Sequence, residues 1–242
     1  YEVIPFYNKQ FISFESHIER LQRSVDALSI NLDVKKVTTE INQLLSSSSF
    51  DNGYIYYQVT RGEDLIRSHM HSKDMNTETF GYITSCSFEN KKLSVMICED
   101  TRWGRCDIKS TSLLANVMNM NNARLHDCDE VIMHKDGILT EAGASNLFFI
   151  KDHNVITPAL SNNILPGITR SILIDALSDK GIKVIEGDFN YLELKTATSA
   201  WLTSSTKGIA PIENIVNIDH SLSLDDSLYM SCKEIFDSKF FG

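Results

Sequence analysis

Residues 102–110 of this chain read RWGRCDIKS, a stretch with a single lysine, Lys109. Lys109 follows Cys106 and Ile108, so its ammonium group has partly apolar neighbours, and loss of water lowers the pKa of an amine. Most lysines, however, are solvated surface residues. The stretch alone makes Lys109 a candidate catalytic amine, and other motifs must decide between the two interpretations.

The composition indicates a folded protein with no polyanionic partner. The chain has 242 residues, of which 42% are hydrophobic, enough to bury one large core or two modest ones. Its formal net charge of -9 gives no general attraction to nucleic acid or to anionic lipid. No apolar run approaches the roughly 18 residues of a membrane span, and no leader-like segment opens the sequence. We expect neither nucleic-acid nor membrane binding.

The cysteines favour a reducing compartment. Five of them are scattered without CxxC spacing, and an odd number leaves at least one unpaired. Walker, GxGxxG, HExxH and GxSxG patterns are also absent from the sequence. We therefore predict free thiols, a cytoplasmic protein and no metal site, and generic motifs give no function.

The first third of the sequence predicts a small α+β unit. Residues 3–12 read as a hairpin, and the apolar spacing over 16–28 predicts an amphipathic helix, with Ser16 and Glu19 spaced as a capping box. Further elements are predicted at 37–45, a helix, and 54–60, a strand.

Strand patterns are frequent after the polar residues 84–92, which form the best candidate linker. Asp136-Gly137 can supply the positive φ of a tight turn between two strands, 130–134 and 138–140. The other predicted elements are a hairpin over 147–157 and helices over 111–125 and 168–177, the last ended by Gly181.

Several motifs in sequence order resemble the core signature of fold-type IV pyridoxal-phosphate enzymes. They are residues 102–110 with Leu113-Leu114, Thr140-Glu141 through Ser145-Asn146-Leu147-Phe148, LPGITR at 165–170 and TSST at 203–206. This group contains D-amino-acid transaminase, branched-chain aminotransferase and aminodeoxychorismate lyase. The resemblance covers nearly the whole chain.

The resemblance implies a two-domain α+β fold of the D-amino-acid aminotransferase-like type. A small α/β domain would occupy residues 1–84, and a larger β-rich domain would occupy residues 85–242. Pyridoxal 5'-phosphate would lie in the cleft between them. Members of the group have a short segment ahead of the position of Tyr1, so we expect an N-terminal segment of the small domain to be missing from this sequence.

The same resemblance assigns the catalytic residues. Lys109 would carry the cofactor as a Schiff base and then move the α-proton of the substrate as a general acid and base. Glu141 would lie against the pyridine nitrogen, where a carboxylate keeps that nitrogen protonated. Without the motif, a lone glutamate after a strand is usually a solvated charge.

The cofactor phosphate would be held by several hydrogen-bond donors. Arg20 matches the arginine of the group's His-Ile-x-Arg-Leu pattern, here residues 17–21. Backbone N–H groups of Ile168 and Thr169 would open a helix, whose N-terminus favours an anion. The remaining predicted cofactor contacts are the hydroxyls of Thr169, Ser204 and Ser205, and Leu165 packed on a ring face. Simple alternatives are an exposed arginine, N-cap hydroxyls and a core leucine.

The predicted substrate site distinguishes members of the group. Arg67 and His69 resemble the pair with which D-amino-acid transaminase binds the α-carboxylate across a dimer interface, and Tyr1 matches a tyrosine that joins them. A guanidinium suits a carboxylate, and its placement on one side of the cofactor selects which α-hydrogen faces Lys109. The simple alternative for Arg67 and His69 is an exposed polar loop. Because that pair acts across a dimer interface, the resemblance implies a homodimer.

We predict ping-pong transfer of an amino group from a D-amino acid such as D-alanine to a 2-oxo acid such as 2-oxoglutarate. Aminodeoxychorismate lyase is the main rival, although lyases typically have His-Leu-Asn where residues 110–112 read Ser-Thr-Ser. A branched-chain L-amino-acid aminotransferase is weaker, because Arg67 and His69 speak against it. A non-catalytic cofactor-binding or interaction protein is the alternative from another class. Ala142 and Ala144 depart from the usual glycine and serine after the catalytic glutamate.

Overall fold

A four-stranded antiparallel sheet and two helices form the first of two units in the computed structural model, which describes residues 1–73, 75–89, 91–218 and 220–242. This unit contains Tyr1–Ser87 and Ile108–Thr111. Its sheet has the order β2-β1-β3-β4. The elements are β1 Glu2–Tyr7, β2 Gln10–Phe11, α1 Phe14–Ala27, α2 Val34–Ser46, β3 Gly53–Thr60 and β4 Glu78–Ser85.

Apolar residues of both helices and the sheet form the core of the first unit. Buried members are Ile4, Phe6, Leu21, Val25, Val37, Ile41, Ile55 and Tyr57. The predicted hairpin is confirmed, because β1 pairs with β2 through Phe6 and Phe11. The predicted capping box is wrong. Helix α1 begins at Phe14 after Ser13, whose φ of 51° is left-handed, so Ser16 and Glu19 lie inside the helix.

A nine-stranded mixed sheet dominates the second unit, which contains Phe88–Asp107 and Ser112–Gly242. Its order is β10-β9-β8-β11-β12-β5-β6-β7, with β13 paired to β12. The strands are β5 Leu93–Glu99, β6 Glu130–Lys135, β7 Ile138–Ala142, β8 Asn146–Lys151, β9 Asn154–Pro158, β10 Val184–Gly187, β11 Ser199–Ser204, β12 Gly208–Ile215 and β13 His220–Ser221. The helices are α3 Leu114–Leu125, α4 Ile168–Asp179 and α5 Ser227–Phe240, with 3-10 helices at Tyr191–Thr196 and Val216–Ile218.

Both predicted hairpins of the second unit are confirmed. Asp136 and Gly137, at φ 51° and 83°, turn the chain between β6 and β7. The predicted helix over 111–125 begins three residues late, at Leu114, and the helix predicted over 168–177 extends to Asp179. The predicted linker 84–92 overlaps a strand, since β4 includes Ser85, and its residue Asn90 lies outside the described residues.

The two units differ from the predicted domains chiefly at the lysine segment, since Ile108–Thr111 groups with the N-terminal residues. The division at residue 84 stays a prediction. Among the described residues, no helix is long and apolar enough to cross a membrane.

Candidate active site

Glu141 is buried on β7 and accepts hydrogen bonds on both carboxylate oxygens. Its Oε1 accepts from Arg102 Nη1 at 2.5 Å, and its Oε2 accepts from Asn146 Nδ2 and the Leu165 N–H, each at 3.1 Å. A carboxylate offers about four acceptor positions, so one further donor can be accommodated. Burial raises the pKa of Glu141 to about 7, although the charge and hydrogen bond of Arg102 act to lower it.

Arg102 is itself held by a second carboxylate, that of Asp100. The guanidinium donates from Nε to Asp100 Oδ1 at 2.9 Å and from Nη2 to Asp100 Oδ2 at 2.7 Å, and Nη2 also donates to the Asn163 carbonyl at 2.9 Å. Thr140 donates to Asp100 Oδ2 at 2.8 Å. Burial alone would raise the pKa of Asp100, but the hydrogen bonds and charge of Arg102 hold it below its usual range.

The N-terminus of α4 lies beside this carboxylate network. Asn146 donates to the Leu165 carbonyl at 3.0 Å as well as to Glu141. At the N-cap, Gly167 leaves so little room that a Cβ would lie 2.0 Å from Asn146 Oδ1. No side chain among the described residues caps α4, whose N-cap is Gly167, and the buried Ile168 and Thr169 open its first turn. An uncapped helix N-terminus with no acidic residue in its first turn can bind an anion.

The turn between β11 and β12 provides hydroxyl groups near the same position. Thr203 stands opposite Asn146 in the pairing of β11 with β8, and Ser204 and Ser205 follow it. Ser204 Oγ accepts from the Lys207 N–H at 3.3 Å. The Oγ1 of Thr203 is buried and has no hydrogen-bond partner among the described residues. Of the predicted cofactor residues, Leu165 is hydrogen-bonded to both Asn146 and Glu141. Ile168 and Thr169 follow it at the start of α4, and Ser204 and Ser205 follow Thr203, the strand partner of Asn146.

Lys109 lies in the first unit, where it is half-buried. Its Nζ is 4.3 Å from the centroid of the Tyr1 ring, and its carbonyl accepts from the Tyr1 nitrogen at 2.9 Å. Its N–H donates to Ser24 Oγ at 3.2 Å. A cation over an aromatic ring is stabilised by the ring's negative face. The structure thus brings together Lys109 and Tyr1, the residues predicted for covalent catalysis and substrate binding.

Arg20 is also in the first unit, and it is buried against Glu2. Its Nε and Nη2 donate to the two Glu2 oxygens at 2.9 and 2.7 Å, and His17 Nδ1 is 2.8 Å from Glu2 Oε2. Burial acts to raise the pKa of Glu2, yet Arg20 and His17 lower it well below its usual range. The alternative of an exposed arginine is wrong, and the phosphate contact of Arg20 stays a prediction.

Arg67 and His69 lie in the exposed segment between β3 and β4. Arg67 Nη2 is 3.5 Å from His69 Nε2, so the two side chains lie beside each other. The segment is not covered by other described residues, since both side chains are exposed. Their substrate role stays a prediction, and residue Asp74 of this segment lies outside the described residues.

Sequence reasoning gave no role to several residues that complete the site. Arg102 and Asn146 were visible in the motifs, but Asp100 carried no signal before the structure placed it on Arg102. Glu130 was missed as well. It is fully buried, accepts from the Ala144 N–H at 2.9 Å and pairs with Lys207. This backbone hydrogen bond to Glu130 supports the loop at Ala144.

These features define a class of site. A buried carboxylate with room for one more donor suits a protonated ring nitrogen, and an uncapped helix N-terminus beside hydroxyl groups suits a phosphate. Pyridoxal phosphate carries both groups. Within the described parts of the chain, no cluster of three or more His, Cys, Asp or Glu residues could hold a metal ion.

Comparison with known proteins identifies the family. The sequence model for amino-transferase class IV matches residues 1–215, so this chain belongs to the class IV aminotransferases, which depend on pyridoxal phosphate. The chain is 36% identical over 225 residues to a D-alanine aminotransferase of Listeria innocua. The aligned region covers 89% of this chain and 77% of that protein.

Solved structures confirm the predicted α+β fold-type IV architecture. A Legionella pneumophila protein described as a 4-amino-4-deoxychorismate lyase has a TM-score of 0.88 at 20% identity, covering 98% of this chain and 90% of that one. The branched-chain aminotransferase of Thermobaculum terrenum in its pyridoxal-phosphate form has a TM-score of 0.85 at 19% identity, covering 100% and 84%. At these identities the likeness establishes the fold alone.

Proposed function

We propose that this aminotransferase transfers the amino group of a D-amino acid, such as D-alanine, to a 2-oxo acid, such as 2-oxoglutarate. The observation that carries the proposal is 36% identity, over 89% of the chain, to a D-alanine aminotransferase. The side chains of Arg67 and His69, which lie 3.5 Å apart, together offer donors that suit a substrate carboxylate.

Pyridoxal phosphate, when bound, supplies a carbonyl carbon that combines with amines and a ring that accepts electron density from the substrate. Glu141 would keep the ring nitrogen protonated through its remaining acceptor position. The first-turn N–H groups of α4 and the hydroxyls of Thr169, Ser204 and Ser205 would bind the phosphate, and Arg20 would balance its charge. Leu165 would pack against a ring face.

Lys109 would hold the cofactor through Nζ, and its amine would afterwards move the substrate α-proton. A lysine serves both steps because its amine is a nucleophile and a general base once deprotonated. The Tyr1 ring 4.3 Å from Nζ restricts the positions open to this amine. Glu2 fixes Arg20, so the charged groups around Lys109 keep one arrangement.

Stereospecificity follows from the placement of the carboxylate site. Arg67 and His69 orient the α-carboxylate, and Tyr1 adds a third contact, so only one α-hydrogen faces Lys109. We propose that these loop residues act on the active site of a second copy, in a homodimer. Cys98, Cys106, Cys128 and Cys232 are free thiols, which supports a reducing, cytoplasmic location.

The test is pyruvate formation from D-alanine and 2-oxoglutarate by the protein loaded with pyridoxal phosphate, with L-alanine as the paired substrate. We expect turnover with the D-isomer only. Arg67→Gln should raise KM for D-alanine by at least about tenfold, since one charge-assisted hydrogen bond contributes about 1.5–3 kcal/mol. Lys73→Gln, in the same exposed segment, is the matched control and should leave KM unchanged.

The rivals predict different products. A lyase would release pyruvate from aminodeoxychorismate without any oxo-acid acceptor, and a branched-chain aminotransferase would use L-leucine. Turnover with L-leucine, or pyruvate release without an acceptor, in a preparation inactive on D-alanine would replace the proposal with the corresponding rival.

A further inference from the structure

We propose that Arg102 is a positioning residue that acts through Glu141, holding its carboxylate ionised and oriented toward the cofactor ring, while Asp100 opposes it by compensating the arginine charge. The inference deepens the proposed function, on which it rests for the cofactor. It concerns Asp100, Arg102 and Glu141, all within the second unit.

Burial makes this charge arrangement matter. The side chains of Asp100, Arg102 and Glu141 are 4%, 5% and 7% exposed, so water screens their charges little. Two carboxylates share a single guanidinium, which is bidentate to Asp100 and donates once to Glu141. The net charge of the three ionised groups is therefore negative by one. This excess charge can be balanced by a protonated ring nitrogen placed at Glu141.

The two carboxylate oxygens of Glu141 are held by different kinds of donor, neutral on one side and charged on the other. Asn146 and the Leu165 N–H hold Oε2 of Glu141, and Arg102 alone among these donors holds Oε1. Loss of the guanidinium would leave the buried carboxylate with two neutral donors and the negative charge of Asp100 nearby. A buried carboxylate in that setting favours its protonated form. A protonated Glu141 could no longer stabilise a positive charge on the ring.

Substitutions of Arg102 and of Asp100 should therefore shift the pKa of Glu141 in opposite directions. Arg102→Gln removes the positive charge and favours protonated Glu141. Asp100→Asn removes a negative charge while retaining an oxygen that can accept from Arg102, and it favours ionised Glu141. If Arg102 and Asp100 had a purely structural role, the two variants would not shift the pKa of Glu141 in opposite directions.

A matched control lies in the same stretch of sequence. Arg105 is bidentate to Asp107, with Nε to Oδ1 at 2.9 Å and Nη2 to Oδ2 at 3.0 Å, like Arg102 to Asp100. This pair is solvated, since the side chains are 46% and 31% exposed. Arg105→Gln deletes an equivalent ion pair that does not contact Glu141.

The experiment is carbon NMR titration of the full chain without cofactor, labelled at the glutamate side-chain carboxyl, with Glu141→Gln identifying the Glu141 signal. We expect the Glu141 midpoint of Arg102→Gln to lie above wild type by about one pH unit or more, and that of Asp100→Asn to lie below it. The Glu141 midpoint of Arg105→Gln should match that of wild type. The midpoint of Arg102→Lys should lie between those of Arg102→Gln and wild type.

An unchanged midpoint in well-folded Arg102→Gln, or shifts of the same sign in Arg102→Gln and Asp100→Asn, would overturn the proposal. If Arg102→Gln fails to fold, the Glu141 midpoints of Asp100→Asn and Arg102→Lys are compared with that of wild type. A midpoint of Asp100→Asn that does not lie below wild type would then overturn the proposal. Because no substrate or cofactor enters this measurement, its failure is distinguishable from failure of the proposed function. Loaded protein should then show weaker binding of pyridoxal phosphate in Arg102→Gln and unchanged binding in Arg105→Gln.

Discussion

Glu2 shows how a buried charge can stabilise the fold and prepare the site together. Its carboxylate lies within hydrogen-bond distance of His17 and holds the Nε and Nη2 edge of Arg20, and all three side chains are buried. The low pKa of Glu2 means that its stabilising contribution is present above its ordinary value of 4.5 and is lost as pH falls further.

Glu2→Gln should lower the free energy of unfolding by about 3–5 kcal/mol at neutral pH, because it removes the buried carboxylate charge that pairs with the Arg20 guanidinium. Urea denaturation measures this. Glu15→Gln, an exposed glutamate of α1, is the control and should change stability by less than about 0.5 kcal/mol. Equal effects of the two substitutions would contradict the role assigned to Glu2.

Glu141 has the opposite linkage. Its pKa is raised from 4.5 to about 7 in the folded chain without cofactor, so the native state binds the proton more tightly than the unfolded state. Stability should therefore fall as pH rises from about 4.5 to about 7, by about 3 kcal/mol at about 1.4 kcal/mol per pKa unit. Glu141→Gln should remove this pH dependence. A wild-type profile that rises across this window relative to Glu141→Gln would refute the assignment.

At the scale of elements, α4 is where backbone geometry decides ligand binding. Gly167→Ala would place a methyl group 2.0 Å from Asn146 Oδ1 and displace either that amide or the helix start. We expect a stability loss of about 1–3 kcal/mol and about tenfold weaker binding of pyridoxal phosphate, measured by equilibrium dialysis. At Gly104 an added Cβ meets no atom within 4 Å, so Gly104→Ala should bind the cofactor like wild type.

Local signals predicted some elements and missed others. The Asp136-Gly137 turn was predictable because two adjacent residues, both of types that adopt a positive φ readily, indicate it. The start of α1 was not, because Ser13 takes a left-handed φ and makes no side-chain cap, while Ser16 has the better capping pattern. Lys109 and Glu141 were predictable from motifs. Their partners were not, since Arg102 meets Glu141 across 39 residues of sequence only after β5, β6 and β7 pair.

For the whole molecule, the proposed homodimer makes a complementation test possible. Arg67 would serve one active site and Lys109 the other. At D-alanine concentrations well below KM, Arg67→Gln homodimers should therefore keep about a tenth or less of wild-type activity, and Lys109→Ala homodimers should be inactive. Mixed, unfolded and refolded together at equal amounts, they should regain about a quarter of wild-type activity, because half of the random pairs contain one intact site. No recovery, with heterodimers present by mass spectrometry, would place Arg67 and Lys109 in the same subunit's site.

The most direct test of the central claim is the visible absorption spectrum of the protein loaded with pyridoxal phosphate, recorded before and after adding D-alanine without any oxo acid. The account predicts that D-alanine converts the bound cofactor to its amino form and L-alanine leaves the spectrum unchanged. Lys109→Ala should lack the starting absorption of lysine-bound cofactor. A spectrum that responds to L-alanine alone, or a Lys109→Ala protein indistinguishable from wild type, would contradict the account.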